Sequence, residues 1–259
     1  MKKLLIAAAV FAFLFTCTAG GRLEAAGKVS DILADIDTLM EQRSDITAKI
    51  TLTQQKVKQG LKVMEMVYYR RDSDDAFLMV MVSPETDKGN GYLRLGDNFW
   101  MYRRNTRTFQ HVNRDESIGG SDAHGEDFEK KKITELYSPV FDKDGKEIYT
   151  EEKIGDIEVY KFNIVAKVKD VSYPKRTFWV RKDNSLLIKE QSYSLSGMLM
   201  STSYFLKYTK IEGKYISIKN MFIDEFEQGN KTVMEMSGIS LKKLDDSIFN
   251  KAYLENLSK

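Results

Sequence analysis

Residues 200–239 read MSTSYFLKYTKIEGKYISIKNMFIDEFEQGNKTVMEMSGI, and this stretch decides the fold class. It contains three runs rich in β-branched and aromatic residues, at Met200–Thr209, Tyr215–Asp224 and Thr232–Ile239. Turn residues separate the runs, at Gly213 and at Gly229-Asn230. Such short gaps favour antiparallel pairing, because a parallel pair needs a long crossover. The stretch therefore predicts three consecutive antiparallel strands.

The same pattern extends toward the N-terminus. It predicts further strands at Ile50–Val57, Leu61–Arg70, Ala76–Val82, Tyr92–Leu95, Phe99–Arg103, Thr108–Val112, Glu147–Glu151, Glu158–Ala166, Arg176–Arg181 and Leu186–Ser194. Strands and helices do not alternate, so a doubly wound α/β fold is not expected. A single sheet of about a dozen strands must curl, close or split into two sheets. We therefore expect a mainly β protein, a strongly curved antiparallel sheet covered on its concave face by a few helices.

Three segments have the character of helices. In Lys28–Met40 the apolar residues recur at helical spacing, which predicts an amphipathic helix. A second helix is predicted at about Glu126 to Leu136, and a short one near Ser247 to Leu257. No linker interrupts the chain after the N-terminal region, so residues 20–259 are interpreted as one domain. We expect this domain to be a monomer.

Composition narrows the classes of function. The chain has 259 residues, and its 40 Lys and Arg face 38 Asp and Glu, for a net charge of +2. A nucleic-acid-binding protein usually has a strong basic excess, so no nucleic-acid partner is expected. The single Cys excludes an intrachain disulfide and a cysteine-based zinc cluster. With only His111 and His124, no metal and no other cofactor is expected.

The N-terminus has the features of an export signal. Met1–Lys3 is basic, and Leu4–Phe15 is apolar but too short to span a bilayer. We interpret residues 1–19 as a signal peptide. Two modes of processing remain open: cleavage before Cys17 with lipidation of that residue, or ordinary cleavage after Ala19. The protein is then exported to the periplasm, and it is membrane-anchored only in the first case.

Methionines occur in pairs within the predicted strands. Of the 12 Met, eight form four Met-x-Met pairs. Residues i and i+2 of a strand share a face, so each pair presents two flexible thioethers together. Two interpretations remain open: the pairs fill a core, or they line a lipid-binding surface. The candidate ligand-binding residues are Met64, Met66, Met79, Met81, Met198, Met200, Met234 and Met236, with the aromatic residues Trp100, Tyr102 and Trp179.

The segment Gly119-Gly120-Ser121-Asp122-Ala123-His124-Gly125-Glu126-Asp127 is unusual because it concentrates Gly with groups that bind metals or move protons. Its structural interpretation is a glycine-rich loop before a helix, with Asp122 as the N-cap. A site for a hard metal ion and a hydrolytic site that uses Ser121 are the alternatives. The loop contains no Gly-x-Ser-x-Gly elbow, and residues this close in sequence rarely form a triad. We therefore expect a structural loop and no catalytic residues.

Several short blocks of the sequence resemble those of a known family. Gly89–Tyr102, Gly120-Ser121-Asp122 followed by Glu126-Asp127, and Tyr173-Pro174-Lys175 with Trp179 resemble successive blocks of the bacterial outer membrane lipoprotein-sorting proteins, the LolA-like family. The blocks Ile211–Tyr215 and Lys231-Thr232 follow in the expected order, so the resemblance covers roughly Val29 to Leu254.

The resemblance implies an unclosed β-barrel covered by helices, and a periplasmic protein that is not an enzyme. It also implies acyl chains as ligands, an inner-membrane release complex as donor and an outer-membrane acceptor. On this basis we expect a periplasmic carrier or acceptor that binds acyl chains noncovalently in an apolar cavity and sorts lipoproteins to the outer membrane. The alternatives are a lipid-binding or surface lipoprotein of unknown cargo, and a lipid hydrolase that uses the Ser121–Asp127 loop.

Overall fold

The structure is a computed structural model that describes residues 27–169 and 171–258. The interpreted signal peptide, residues 1–19 with Cys17, lies outside the described residues. The strands are β1 Ile46–Lys56, β2 Gly60–Arg71, β3 Ala76–Ser83, β4 Gly91–Leu95, β5 Asn98–Arg103, β6 Thr108–His111, β7 Tyr137–Pro139, β8 Tyr149–Ile154, β9 Ile157–Ala166, β10 Lys175–Arg181, β11 Leu187–Tyr193, β12 Leu199–Ile211, β13 Lys214–Asp224 and β14 Lys231–Ser240. The helices are α1 Lys28–Met40, α2 Ile133–Leu136 and α3 Lys251–Leu257.

All fourteen strands belong to one antiparallel sheet. Their order is β6-β5-β4-β3-β2-β1-β14-β13-β12-β11-β10-β9-β7, and β8 pairs with the remaining length of β9. Strand β1 pairs with β14, so the first and last strands of the chain meet in the middle of the sheet. The end strands do not pair with each other, and the sheet is open. The predicted fold class, an unclosed antiparallel sheet with few helices, is confirmed.

One face of the sheet, here called the inner face, can be traced from strand to strand. Residues directly opposite each other on neighbouring strands share a face, and so do residues i and i+2. The trace runs through Phe162↔Phe178, Phe178↔Glu190, Glu190↔Ser203, Phe205↔Asn220, Asn220↔Met234, Met234↔Leu52, Leu52↔Met64 and Met66↔Met81. The inner face therefore carries aromatic residues at one side of the sheet and methionines at the other.

Helix α1 covers the aromatic part of the inner face. Its buried residues, Val29, Ile32, Leu33 and Ile36, follow the helical spacing and pack against apolar side chains of β9–β12. The Glu147 carboxylate accepts the backbone N–H groups of Val29 and Ser30, which would otherwise lack partners at the helix start. The helix predicted at Lys28–Met40 is confirmed with the same bounds.

Helix α3 lies on the opposite, outer face. Leu78 and Leu93 point outward from β3 and β4, where they alternate with inward side chains, and they cluster with Leu254 of α3. Because this edge of the sheet is apolar on both faces, it needs a cover on each side. The expectation that the helices cover the concave face therefore holds for α1 and α2, while α3 differs.

Candidate functional site

Residues 112–136, here called the covering segment, connect β6 to β7 and lie over the methionine part of the inner face. The segment contains two 3-10 turns, Ile118–Gly120 and Gly125–Asp127, and the single turn of α2. Its one β-bridge, Ser117↔His124, is internal. Ile118, Ala123 and Phe128 are buried in the same apolar cluster as the methionines of the sheet. The inner face is therefore closed by a segment that has no strand pairing with the strands beneath it.

Six of the eight paired methionines meet under this segment. Met64 and Met66 of β2, Met79 and Met81 of β3, and Met234 of β14 are all buried in one cluster, and the half-buried Met236 packs against it. β14 and β2 flank β1, whose inward residues Ile50 and Leu52 fill the space between their methionines. The thioethers of three strands thus share one continuous apolar surface.

The remaining candidate residues lie elsewhere. Trp100 and Tyr102 belong to the outer cluster under α3. Trp179 alternates with the inward Phe178 and points to the outer face, where its Nε1 donates to Glu152 Oε2 at 3.2 Å. Met198 precedes β12 in an exposed turn, and Met200 is half-buried at the start of that strand. The structure therefore does not bring these five residues to the surface formed by the six methionines.

The covering segment fits closely onto this surface. Gly119 adopts φ +63°, and a Cβ there would lie 2.6 Å from Met64 Sδ and 3.1 Å from the Met81 methyl carbon. A Cβ on Gly125 would lie 2.4 Å from the Phe99 ring. The cavity that remains between the segment and the sheet, lined by residues such as Tyr68, Phe128, Met234 and Met236, is about 40 Å³. Pockets for small molecules are typically about 300 Å³ or larger, so this cavity is too small for such a ligand, and the arrangement is here called the closed state.

A buried ion network joins the segment to β4. Glu129 lies between Arg94, at 2.7 Å, and Arg114, at 2.6 Å, and both Glu129 and Arg94 are buried. Burial raises the pKa of Glu129 above its ordinary value, although the two guanidinium groups oppose that shift. Sequence analysis did not predict this ion network, although the position of Arg94 could have indicated it. It is a charged residue in the middle of a predicted strand, and it shares a face with Tyr92.

A second ion network joins the segment to β10 and β11. Arg176 binds Glu126 of the segment at 2.8 Å and also Glu190 of β11. Burial alone would raise the pKa of Glu126, but the Arg176 and Lys131 charges, together with the hydrogen bond from Arg176, outweigh it and hold that pKa below its ordinary value. Glu126 is therefore held ionised. The two networks anchor the segment at Glu126 and Glu129, only three residues apart.

Uncharged side chains of the sheet also donate hydrogen bonds to the segment. The Tyr68 hydroxyl donates to the carbonyl of Phe128, and the Gln54 side chain donates to the carbonyl of Gly120 at 2.6 Å. The Thr232 hydroxyl donates to Asp122 Oδ2 at 2.7 Å. In each case the sheet contributes a side chain and not its backbone. The segment can therefore separate from the sheet without breaking a strand ladder.

The Ser121–Asp127 loop forms hydrogen bonds within itself. Ser121 Oγ contacts the backbone of Ala123, and the Asp127 carboxylate accepts the backbone N–H of His124 at 2.8 Å. The carboxylate that caps the start of the following 3-10 turn is therefore that of Asp127, which accepts the His124 N–H. Asp122 was predicted for this role and does not fill it. Across residues 27–169 and 171–258, no group of three or more His, Cys, Asp or Glu side chains is placed to hold a metal ion.

The prediction of one continuous helix at Glu126 to Leu136 is wrong. Only the 3-10 turn at Gly125–Asp127 and the one-turn α2 are helical. Glu126, Phe128 and Glu129 each reach into the protein toward a different partner. A regular helix cannot turn three such closely spaced residues toward one sheet, so tertiary contacts override the local preference.

The open antiparallel sheet with its helices has the LolA-like fold, which three solved structures share. The LolA superfamily protein NE2245 from Nitrosomonas europaea is 19% identical, with 86% of this chain and 97% of that chain covered at a TM-score of 0.72. An outer membrane lipoprotein-sorting protein domain from Vibrio parahaemolyticus is 18% identical, with coverages of 87% and 97% and a TM-score of 0.74. A DUF1329 family protein from Desulfovibrio piger is 21% identical, with coverages of 86% and 96% and a TM-score of 0.74.

Within this fold class, the chain belongs to the family whose model is described as "-like: Uncharacterized protein", which matches residues 73–256. No curated protein matches the sequence. None of the helices in the described part of the chain is both long and apolar enough to cross a membrane. The fold resemblance inferred from the sequence motifs is confirmed at the level of the LolA-like fold.

Proposed function

We propose that this protein binds acyl chains of lipoproteins or lipids noncovalently, between the six methionines and the covering segment. The observation that supports this proposal is the way in which the covering segment lies over the methionines of the inner face. Six thioethers from three strands lie under a segment that has no strand pairing with the sheet. Its backbone hydrogen bonds to the sheet region lie at its two ends, where the Val112 N–H donates to the Phe99 carbonyl and the Leu136 carbonyl accepts from the Lys167 N–H. Such a segment can lift as a unit, and the surface that it exposes is apolar and adaptable.

The methionine surface suits a ligand that must enter and leave. Each CH₂ group moved from water to an apolar surface contributes about 0.8 kcal/mol, so a long acyl chain can offset the opening of the segment. Unbranched methionine side chains can repack around the chain and then fill the space when it has left. The 40 Å³ cavity of the closed state implies that binding requires this opening.

The buried ion pairs set the energetic cost of opening. An ion pair within a protein contributes little net stability, because desolvation offsets much of the attraction. When the segment lifts, Arg94 and Arg176 regain water, as do Glu126 and Glu129. The two ion networks therefore fix the position of the segment but add only a moderate free energy to its attachment. A carrier that cycles between closed and open states requires both properties.

The proposed biological setting is supported by the interpreted signal peptide and by the LolA-like fold. The proposed protein is a single lipid-binding domain, residues 20–259, that acts in the periplasm in the sorting of lipoproteins to the outer membrane. It works as a monomer, free or anchored through a lipidated Cys17. Its partners are a donor complex at the inner membrane and an acceptor at the outer membrane. The proposal includes no catalytic step.

The test is a direct binding measurement with a fluorescent fatty-acid probe. Replacing both Met79 and Met81 with Gln places two amides against hydrocarbon, which costs roughly 1–3 kcal/mol for each unpaired amide. We expect probe affinity to fall by about tenfold or more. Replacing Met198 and Met200 with Gln is the matched control, since these residues lie outside the surface, and affinity should not change.

Two further readouts complete this experiment. The thermal midpoint shows whether the Met79 and Met81 changes simply unfold the protein. Unchanged probe affinity with a lowered midpoint would contradict the proposal and assign these methionines to an ordinary core. Mass spectrometry of the purified wild-type protein should also detect copurified diacyl or triacyl species, whereas release of fatty acid from added lipid would indicate a hydrolase.

A further inference from the structure

The five most exposed large apolar side chains in the described part of the chain lie on three hairpin connections. They are Leu195 and Met198 between β11 and β12, Phe226 between β13 and β14, and Val57 and Leu61 at the β1–β2 connection. Their exposed fractions run from 54% for Met198 to 79% for Leu195. Single exposed apolar residues are common, but a concentration of the most exposed ones indicates a contact surface.

The three hairpins are neighbours at one end of the sheet. The backbone N–H of Val57 donates to Asn230 Oδ1 at 3.2 Å, which links the β1–β2 and β13–β14 connections. The backbone N–H of Glu225 donates to the carbonyl of Met200 at 3.0 Å, which links the β13–β14 and β11–β12 connections. The five side chains therefore form one row of protruding tips, here called the hairpin row.

We propose that the hairpin row docks onto a phospholipid bilayer by inserting these five apolar side chains into the lipid interface. Apolar side chains on separate protruding tips need a partner that can surround each of them, and fluid lipid does so. Partition of such side chains into the interface grows with the apolar area that is buried.

One connection of the row, β1–β2, carries a positive charge that is complementary to lipid phosphates. Residues 54–63 contain Lys56, Lys58 and Lys62 and no acidic residue, and residues 194–200 carry no charge. Lysines beside inserted apolar residues can extend to the phosphate level. The third connection is acidic, with Asp224, Glu225 and Glu227, and these carboxylates accept hydrogen bonds from within the protein: Asp224 from the Phe226 N–H, Glu225 from the Thr202 hydroxyl and Glu227 from the Asn230 side chain. Its contribution to docking is therefore the apolar Phe226 ring, and the contact with phosphates is made by the β1–β2 connection.

Docking in this orientation also places the covering segment at the bilayer. Gln54, next to the β1–β2 connection, donates to the carbonyl of Gly120, and Lys62 lies 3.5 Å from the carbonyl of Gly119. The Gly119-Gly120 turn, which closes the methionine surface, therefore sits at the same end as the hairpin row. Transfer of acyl chains at this end rests on the proposed function, but docking itself does not require acyl-chain binding.

The experiment measures binding of the full chain to vesicles of phosphatidylethanolamine and phosphatidylglycerol. All variants carry Cys17→Ala, so that lipidation cannot contribute. The test variant combines Leu195→Asp with Phe226→Asp, and the control is Phe141→Asp, a residue 51% exposed on the β7–β8 connection at the far edge of the sheet. We expect the test variant to lose about tenfold or more in vesicle partition and the control to match the parent.

A second measurement locates the contact. Phe226→Trp should become quenched by brominated lipids on vesicle binding, and Phe141→Trp should not. Equal partition of the two Asp variants, or no quenching at position 226, would overturn the proposal. A concentration-dependent dimer that the Asp changes abolish, without vesicle binding by the parent, would instead assign the row to a second copy of the chain. If docking fails while probe binding depends on Met79 and Met81, the proposed function stands without this surface.

Discussion

Gly119 lies so close to Met64 that a Cβ at position 119 would be 2.6 Å from the Met64 sulfur. This contact lies between the covering segment and the methionine surface, at the end of the sheet where the hairpin row lies. It makes the closed state of the segment sensitive to a single methyl group.

The substitution Gly119→Ala should therefore open this end of the segment. The added methyl group meets Met64 and Met81, and alanine also disfavours φ +63°. We expect the free energy of unfolding to fall by about 2–4 kcal/mol, from overpacking together with backbone strain. Amides of residues 112–129 should exchange faster with solvent, as hydrogen exchange read by mass spectrometry would show.

The matched control is Gly120→Ala. Gly120 also has positive φ, at +77°, but a Cβ there meets nothing within 4 Å. This variant should carry only the backbone strain, about 1–2 kcal/mol. Equal effects of the two alanine variants would mean that the contact with Met64 does not hold the segment.

Removing the Glu129 charge should destabilise the protein more than removing a surface charge. Glu129→Gln leaves Arg94 and Arg114 without their carboxylate in a buried site, which typically costs about 3–5 kcal/mol. Glu151→Gln, which breaks a surface pair with Lys182, should cost at most about 1 kcal/mol. Chemical denaturation at pH 7 compares the two, and a similar small loss for both would contradict the role of Glu129 as an anchor.

Asp127 should make the stability of the protein depend on pH. Burial raises its pKa from 3.8 to about 6, although Lys131 opposes the shift. Between about pH 4 and pH 6 the folded state keeps a proton that the unfolded state releases. The contribution of this group to the free energy of unfolding is therefore fully present below about pH 4 and is lost as the pH rises through about 6. A shift of this size corresponds to about 3 kcal/mol.

Asp127→Asn isolates this effect because the amide oxygen can still accept the His124 N–H. At pH 7 the variant should be as stable as the wild type or more stable. The difference between the two should shrink as the pH is lowered to 4, in denaturation experiments at matched ionic strength. A constant difference across that range would show that Asp127 titrates near its ordinary pKa.

Cys17 should be the one residue that decides whether the protein carries a covalent lipid. Any label that cells grown with radioactive palmitate incorporate into the wild-type protein should be lost with Cys17→Ala. Label retained in the variant would contradict this prediction. Absence of label in both proteins would indicate cleavage near Ala19 and a protein without a covalent anchor.

Local sequence patterns predicted most of the secondary structure. All thirteen predicted strands are present, as is α1 with its predicted bounds, because side-chain periodicity and turn residues act locally. The strand β7, Tyr137–Pro139, was missed because three residues are too few to show alternation. The predicted C-terminal helix near Ser247 to Leu257 was found as a 3-10 turn and α3.

The candidate site was only partly predictable from the sequence, because local patterns do not determine which strands become neighbours. Sequence alone determined that Met64 and Met66, or Met79 and Met81, share a face, because the period of a strand is two residues. Only the sheet order decided which pairs meet. β14 joins β1 and brings Met234 toward Met64, whereas Met198 falls in a turn and Trp179 faces outward. The position of the covering segment was likewise decided by Arg94 and Arg176, which lie on strands distant from it in sequence. Such contacts form only when the sheet assembles, and a local pattern cannot encode them.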